Sequence, residues 1–368
     1  MKYVFTGGGT LGHTNPAIAV AEKIREIDKN ADILFILREN GKENDAVRNR
    51  NFTIKEIPAC GFNSNKAMKA ITVNTRALVK CNKIIREFKP DVIFGTGGYV
   101  SFAPLLLGVI LKIPTFIHES NIVPGRVTKI ISRLGGTLLL NYEGTKDRLP
   151  YAKQSMIVGN PLLSDFSYIQ RNEAREKLHL KNNEILVLSF GGSGGSKKLN
   201  DTIIEVMDKY SKNKKQIRHI HATGEKYFND IANRHPEFAK GINGCQILPK
   251  IDNMAVYMQA SDILICRCGA TTLSEISATG RASILIPSPN VTDNHQFENG
   301  KYLSQRNAAI LIEEKELCYE NLMQKIDLLT NSKSLRKTIE NNVKTLSKIN
   351  SAEAISRIIS NRQNCILP

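Results

Sequence analysis

Between Ala260 and Glu275 the chain reads Ala-Ser-Asp-Ile-Leu-Ile-Cys-Arg-Cys-Gly-Ala-Thr-Thr-Leu-Ser-Glu, residue types that can serve a phosphate and a sugar together. Gly269 permits a tight turn, and Thr271, Thr272 and Ser274 bring hydroxyls and free N–H groups to a helix start. That end of a helix attracts anions. Glu275 lies one turn inside, within reach of vicinal hydroxyls. A phosphate on amides and a sugar on a carboxylate make a nucleotide site. An ordinary strand-to-helix connection explains the same residues without a ligand.

The next candidate is His13, which ends the run Gly7-Gly-Gly-Thr-Leu-Gly-His13. A histidine is the usual general base for a sugar hydroxyl; here it could equally cap the helix start. Gly7, Gly9 and Gly12 fit the G-x-G-x-x-G dinucleotide pattern, but Glu39 lies beyond the spacing at which that pattern needs its acid. Gly191-Gly-Ser-Gly-Gly-Ser196 lacks the Gly-Lys-Ser/Thr of a P-loop, yet its glycines, Ser193 and Ser196 suit a diphosphate. His118 ends a strand beside Glu119, where a satisfied structural group and a catalytic one look alike. His295, Gln296 and Asn299 fit either sugar hydroxyls or a polar helix start.

Each of these loops follows a short apolar run of the kind buried in parallel sheets. In the first half the runs are Lys2–Thr6, Ile33–Leu37, Asp91–Phe94 and Thr115–His118. In the second half they are Glu184–Phe190, Gln216–Ala222, Cys245–Leu248, Asp262–Cys266 and Ser283–Ile286. A helix is expected from about Asn15 to Ile27, and another over most of Ser64–Lys89. The alternation predicts an α/β protein of two Rossmann-like domains facing each other across a cleft, with loops at the strand C-termini where such sheets bind ligands. The first pattern ends near Val158-Gly-Asn-Pro161. In Ser64–Lys89, Ile71, Leu78, Cys81, Ile85 and Phe88 share one face, with Lys69, Arg76, Lys80 and Lys83 beside it. Such a helix either lies on an anionic membrane or packs on a sheet, the commoner case.

The 368 residues carry 51 Lys/Arg against 35 Asp/Glu, a net charge of +16. Residues 1–160 hold 23 basic and 13 acidic side chains, and the remaining 208 hold 28 and 22, so the excess concentrates in the first half. No nucleic-acid motif or row of stacking aromatics accompanies the charge, which favours a lipid surface or a pyrophosphate over nucleic acid. The N-terminus enters a strand without a signal peptide, and Val100–Ile117 is broken by Pro104, Gly108, Lys112 and Pro114, too often for a membrane span. A cytoplasmic protein is expected. The seven cysteines show no zinc spacing, so reduced thiols and no metal site are expected.

Seven motifs in one order carry a resemblance. They are Gly7–His13, Gly97–Ser101, His118–Asn121, Gly159–Pro161, Gly191–Ser193, Arg267–Ala270 with Ser274-Glu275, and His295-Gln296. Together they resemble the peptidoglycan N-acetylglucosaminyltransferase family that converts lipid I into lipid II, over nearly the whole chain. The resemblance implies the glycosyltransferase B fold. Residues 1–160 would take the acceptor at the membrane, with a helix at about 345–368 packing back, and residues 161–344 would bind the UDP-sugar. It implies inverting transfer from UDP-N-acetylglucosamine to the C4 hydroxyl of lipid I, without a cofactor or bound metal. The place would be the cytoplasmic face of the cell membrane, peripherally, with its anionic surface and other cell-wall synthesis proteins as partners.

His13 would be the base. Ser193 would meet the diphosphate, Ile251 the uracil through its backbone, Glu275 the ribose and Gln296 the N-acetylglucosamine. Thr10, Leu11, Gly12 and Asn121 would line the site from the first domain, and Arg267, Gly269, Ala270, Thr271 and Thr272 from the second. Tyr99, His118 and Glu119 would lie towards the acceptor. Two positions depart from the family: Leu11 replaces a glycine, and Leu162-Leu163 replaces Val-Arg. These substitutions leave open a non-catalytic UDP-sugar-binding paralogue, or another glycosyltransferase or epimerase of the same fold.

Overall fold

The computed structural model describes residues 1–61, 67–213, 217–348 and 350–361. The chain divides into two compact units, one of Met1–Leu163 with the chain from Lys348 on, the other of Ser164–Ser347.

The first unit contains β1 (Lys2–Thr6), β2 (Asp32–Arg38), β3 (Thr53–Ile57), β4 (Val92–Gly95), β5 (Thr115–Glu119), β6 (Thr137–Leu140) and β7 (Ser155–Ile157). They form one sheet in the order β3-β2-β1-β4-β5-β6-β7, every pair parallel. Both faces are covered, which is why these strands read as continuous apolar runs. Tyr3 and Phe5 join Phe35 and Phe94 on the face covered by the helices Leu11–Ile27 and Ser351–Ser360. Val4, Leu34, Ile36 and Ile93 turn to the opposite face, under the helices Ala67–Phe88, Phe102–Ile110 and Arg126–Leu134. Gly159, at φ +81°, lets the last helix dock, because a Cβ there would lie 2.3 Å from Ser351 Oγ.

The second unit contains β8 (Ile185–Phe190), β9 (Ile217–Ala222), β10 (Cys245–Leu248), β11 (Ile263–Cys266), β12 (Ala282–Leu285) and β13 (Ile310–Leu311). Its order is β10-β9-β8-β11-β12-β13, again parallel throughout. Each sheet reverses its winding once, between β1 and β4 and between β8 and β11. At those points the loops leave the strand ends in opposite directions and open a crevice.

Two local expectations change. The first helix starts at Leu11, not Asn15, because the Thr10 carbonyl already accepts from His13 N at 3.1 Å and Thr14 N at 3.3 Å. His13 therefore sits on the first helical turn. The helix Ala67–Phe88 buries a stripe through Ala70, Ala77, Cys81 and Ile85, and Ile71, one residue off that stripe, is 59% exposed. Its expected start at Ser64 and the Gln216 end of β9 lie outside the described residues, as does the C-terminal part of the helix expected to 368.

A buried polar chain ties β8 and β9 to the helix Lys197–Asn213. Asn200 Nδ2 donates to Thr223 O at 2.9 Å, so Oδ1 faces His221 Nε2 at 3.1 Å, and that nitrogen must carry a proton. His221 Nδ1 then accepts from the Ser189 hydroxyl at 2.8 Å, whose oxygen accepts from His219 Nε2 at 2.8 Å. Burial pushes His219 down to about 3 and His221 down to about 4. Both imidazoles are neutral when folded, while the unfolded chain titrates near the ordinary histidine value of about 6.5. The stability they contribute is complete above pH 6.5 and is lost as the pH falls towards 4. The urea midpoint should accordingly drop between pH 6.5 and 4.5, less steeply in His219→Gln than in the parent protein. Identical profiles for the two would remove His219 as a cause.

Candidate functional site

In the first unit, β1 runs into Gly7–Thr10 and β4 into Thr96–Gly98, and these loops touch. A Cβ on Gly7 would lie 1.9 Å from Thr96 Oγ1, and one on Gly98 would lie 2.4 Å from Gly8 O, so neither position admits a side chain. His13 turns its ring into this contact, with Nδ1 2.8 Å from Thr96 O. A carbonyl only accepts, so Nδ1 carries a proton, and in the neutral ring Nε2 is the nitrogen with the lone pair. Nε2 has no partner among the described residues. The Thr96 hydroxyl donates back to His13 O at 2.5 Å, which holds ring and backbone together.

Thr10, Leu11 and Gly12 lie exposed at the helix start, where the Thr10 side chain makes no cap hydrogen bond. Tyr99 is half-buried beside Gly9, where a Cβ would sit 3.1 Å from its ring. Glu119 and His118 do not face outwards. Glu119 is 4% exposed and accepts from Asn121 N at 3.0 Å, Asn121 Nδ2 at 3.1 Å, Gly125 N at 2.9 Å and Thr128 Oγ1 at 2.6 Å. It shapes the loop that presents Asn121. His118 is fully buried, donates from Nε2 to Gly159 O at 2.8 Å, and is pushed down to about 4 by burial. Leu163, where the resemblance implies an arginine, packs against the first unit's core. The motifs gave no hint of Glu43, whose Oε1 accepts from Gly9 N at 2.7 Å.

In the second unit, β8 runs into Gly191–Ser196. Gly195 adopts φ +68°, and a Cβ there would lie 2.3 Å from Thr223 O, so the loop packs tightly on the end of β9. Ser193 is exposed, and nothing lies within 4 Å of a Cβ on Gly192 or Gly194 beside it. Across the switch point the helix Ala270–Thr279 begins after Gly269, with Thr271 and Thr272 half-buried on its first turn.

Arg267, expected to touch a ligand, meets four acceptors of the protein. Its guanidinium donates to Ser196 Oγ, Glu314 Oε2, Ile286 O at 3.3 Å and Pro287 O at 3.2 Å. It staples four connections at the C-terminal edge of the sheet. Asn299 is likewise buried, donating to Cys268 O at 3.3 Å. Gln296 accepts from Ser288 N at 2.9 Å, which orients its amide, and Ile251 is half-buried just after β10.

Glu275 differs from the other site carboxyls. It is half-buried, and its oxygens have no hydrogen-bond or ion-pair partner among the described residues, while burial pushes it up to about 8. The folded chain prefers it protonated. The resulting penalty is absent below the unfolded value of 4.5 and grows as the pH rises towards 8. Glu275→Gln should therefore raise the unfolding midpoint of the unliganded protein far more at pH 8.5 than at pH 5. An equal or lower midpoint at pH 8.5 would show that the carboxyl is satisfied.

Two family descriptions match the chain: the glycosyltransferase family 28 N-terminal domain over residues 3–136 and the family 28 C-terminal domain over residues 186–357. A protein of Thermoanaerobacter sp. (strain X514), named UDP-N-acetylglucosamine--N-acetylmuramyl-(pentapeptide) pyrophosphoryl-undecaprenol N-acetylglucosamine transferase, is 36% identical over 98% of this chain and 99% of its own. Among solved structures, Acinetobacter baumannii MurG superposes with a TM-score of 0.76 at 23% identity, covering 98% of this chain and 99% of that one. A putative UDP-N-acetylglucosamine 2-epimerase from Listeria monocytogenes reaches 0.72 at 12% identity, covering 100% and 97%. The fold is thus shared with epimerases, and it is the sequence that separates the two.

Proposed function

The chain belongs to glycosyltransferase family 28, and from that premise we propose that it transfers N-acetylglucosamine from UDP-N-acetylglucosamine to lipid I, forming lipid II for peptidoglycan. The observation that carries this reading is the lone pair on His13 Nε2 at the β1/β4 switch point.

The acceptor is undecaprenyl-pyrophosphoryl-N-acetylmuramoyl-pentapeptide. Its C4 hydroxyl gives its proton to Nε2 while the oxygen bonds to the anomeric carbon of the donor sugar. The bond from that carbon to the UDP oxygen breaks, its electron pair leaves with UDP, and the configuration inverts. The first unit takes the acceptor and the second takes the donor. Ser193 and the start of the helix Ala270–Thr279 meet the diphosphate, whose charge the helix dipole stabilises. The unpartnered Glu275 accepts from the ribose hydroxyls, Ile251 holds the uracil through its backbone, and the amide nitrogen of Gln296 serves the sugar. Arg267, Glu119 and His118 act at one remove, by holding loops in place.

The acceptor is a lipid, and the first unit carries a surface suited to reach it. Ile71 and Val79 on the helix Ala67–Phe88 are 59% and 69% exposed, and Ile110 on the neighbouring helix is 63% exposed. Leu134 on the next helix is 48% exposed, and Arg76, Lys83, Lys112 and Arg133 lie exposed on the same three elements or at their ends. Apolar tips among cations fit an anionic membrane face. Among the described residues no helix is long and apolar enough to cross a membrane. The reading is therefore of a protein held peripherally at the cytoplasmic face.

His13→Ala should lower kcat for lipid II formation about 10²–10⁴-fold while UDP-N-acetylglucosamine binds as before; full turnover would end the base assignment. For the membrane surface, Val79→Glu with Ile110→Glu should weaken binding to phosphatidylglycerol vesicles at least about tenfold. Unchanged vesicle binding would place the lipid contact elsewhere.

A further inference from the structure

We propose that Glu43 is a positioning residue for the transfer reaction: its carboxylate fixes Gly9 and, through the helix that follows, the place of His13. This inference rests on the transferase reading given above.

Glu43 is 5% exposed, and its Oε1 accepts from Gly9 N at 2.7 Å. A Cβ on Gly8 would lie 3.1 Å from the same oxygen and 3.3 Å from Val100 Cγ2. Glu43 thus stands where three segments meet: the exits of β1 and β2, and the turn that follows β4. Its own segment is anchored. Asn44, fully buried, donates from Nδ2 to Arg38 O at 2.9 Å and to Glu56 Oε1 at 2.9 Å, and its N–H bonds to Gly41 O at 3.0 Å.

Among the described residues Glu43 has no ion-pair partner. A leucine would fill the same volume without the cost of desolvating a carboxylate. Among the described residues only the contact with Gly9 calls for an acceptor there. Gly9 has φ +95°, and an N–H in a glycine turn before a helix is a donor of the kind that binds ligand anions. Here the chain supplies its own acceptor, so the loop is set before any substrate arrives. His13 then rests on two anchors, Thr96 O on its ring and Glu43 on the loop ahead of its helix. Losing the second lets the base drift while leaving the donor site in the other unit untouched.

The test uses the full chain, with lipid II formation from a short-chain lipid I analogue and hydrogen exchange over Gly7–His13. Glu43→Ala should lower kcat about 10–100-fold, the scale of a misplaced reacting group. It should also leave the donor KM within about twofold and speed exchange in the loop. Glu43→Gln, whose amide oxygen still accepts, should recover most of the kcat and the protection. The proposal falls if Glu43→Ala keeps parental kcat, if loop exchange is unaltered, or if Glu43→Gln is as impaired as Glu43→Ala. If the parent protein itself makes no lipid II, the transferase reading falls instead, and exchange alone still decides whether Glu43 anchors the loop.

Discussion

A backbone carbonyl cannot donate a hydrogen bond, and at Thr96 that simple limit sets the chemistry of the first unit. Its contact with His13 Nδ1 at 2.8 Å leaves the other ring nitrogen as an acceptor. Thr96 is itself held because its N–H donates to Thr6 O at 3.0 Å, extending the pairing of β1 with β4. The sheet order brings those two strands together and sends their helices apart, so His13 stands in the crevice that the topology opens. The second unit repeats the plan with different residues. There the bridge between the loops after β8 and β11 is Arg267 with Ser196.

The carboxyls sort the site by function. Glu119, Glu43 and Glu314 each meet donors from the protein and hold loops in one geometry. Glu275 meets none among the described residues and is pushed up to about 8. An unsatisfied buried carboxyl weakens the fold, and a protein retains one where a ligand will supply the donors.

Much of this plan was legible in the sequence. Parallel strands buried on both faces leave apolar runs, and the glycine turns after β1, β4 and β8 mark the ligand edge. The short strands β3, β6, β7 and β13 were missed, because runs such as Thr53–Ile57 alternate with charge or are too brief to stand out. The start of the first helix was misplaced because Pro16 looked like a first-turn residue, while Thr10 O had already begun the turn. Arg267 meets Ser196 and Glu314, which lie 71 and 47 residues away in the sequence. No local pattern could show that its charge was already met. Glu43 sits in an unremarkable Gly-Lys-Glu-Asn segment, and its role exists only once β1 and β2 are paired. Leu163, where the resemblance implies an arginine, lies against the core.

The most direct measurement is the tautomer of His13, read from the ¹⁵N shifts and long-range couplings of its imidazole in the neutral form. A protonated Nδ1 with an unprotonated Nε2 is expected, unchanged when UDP-N-acetylglucosamine is added. A protonated Nε2, or exchange between the two tautomers as in a free imidazole, would mean that Thr96 does not set the ring, and the general base would have to be sought elsewhere.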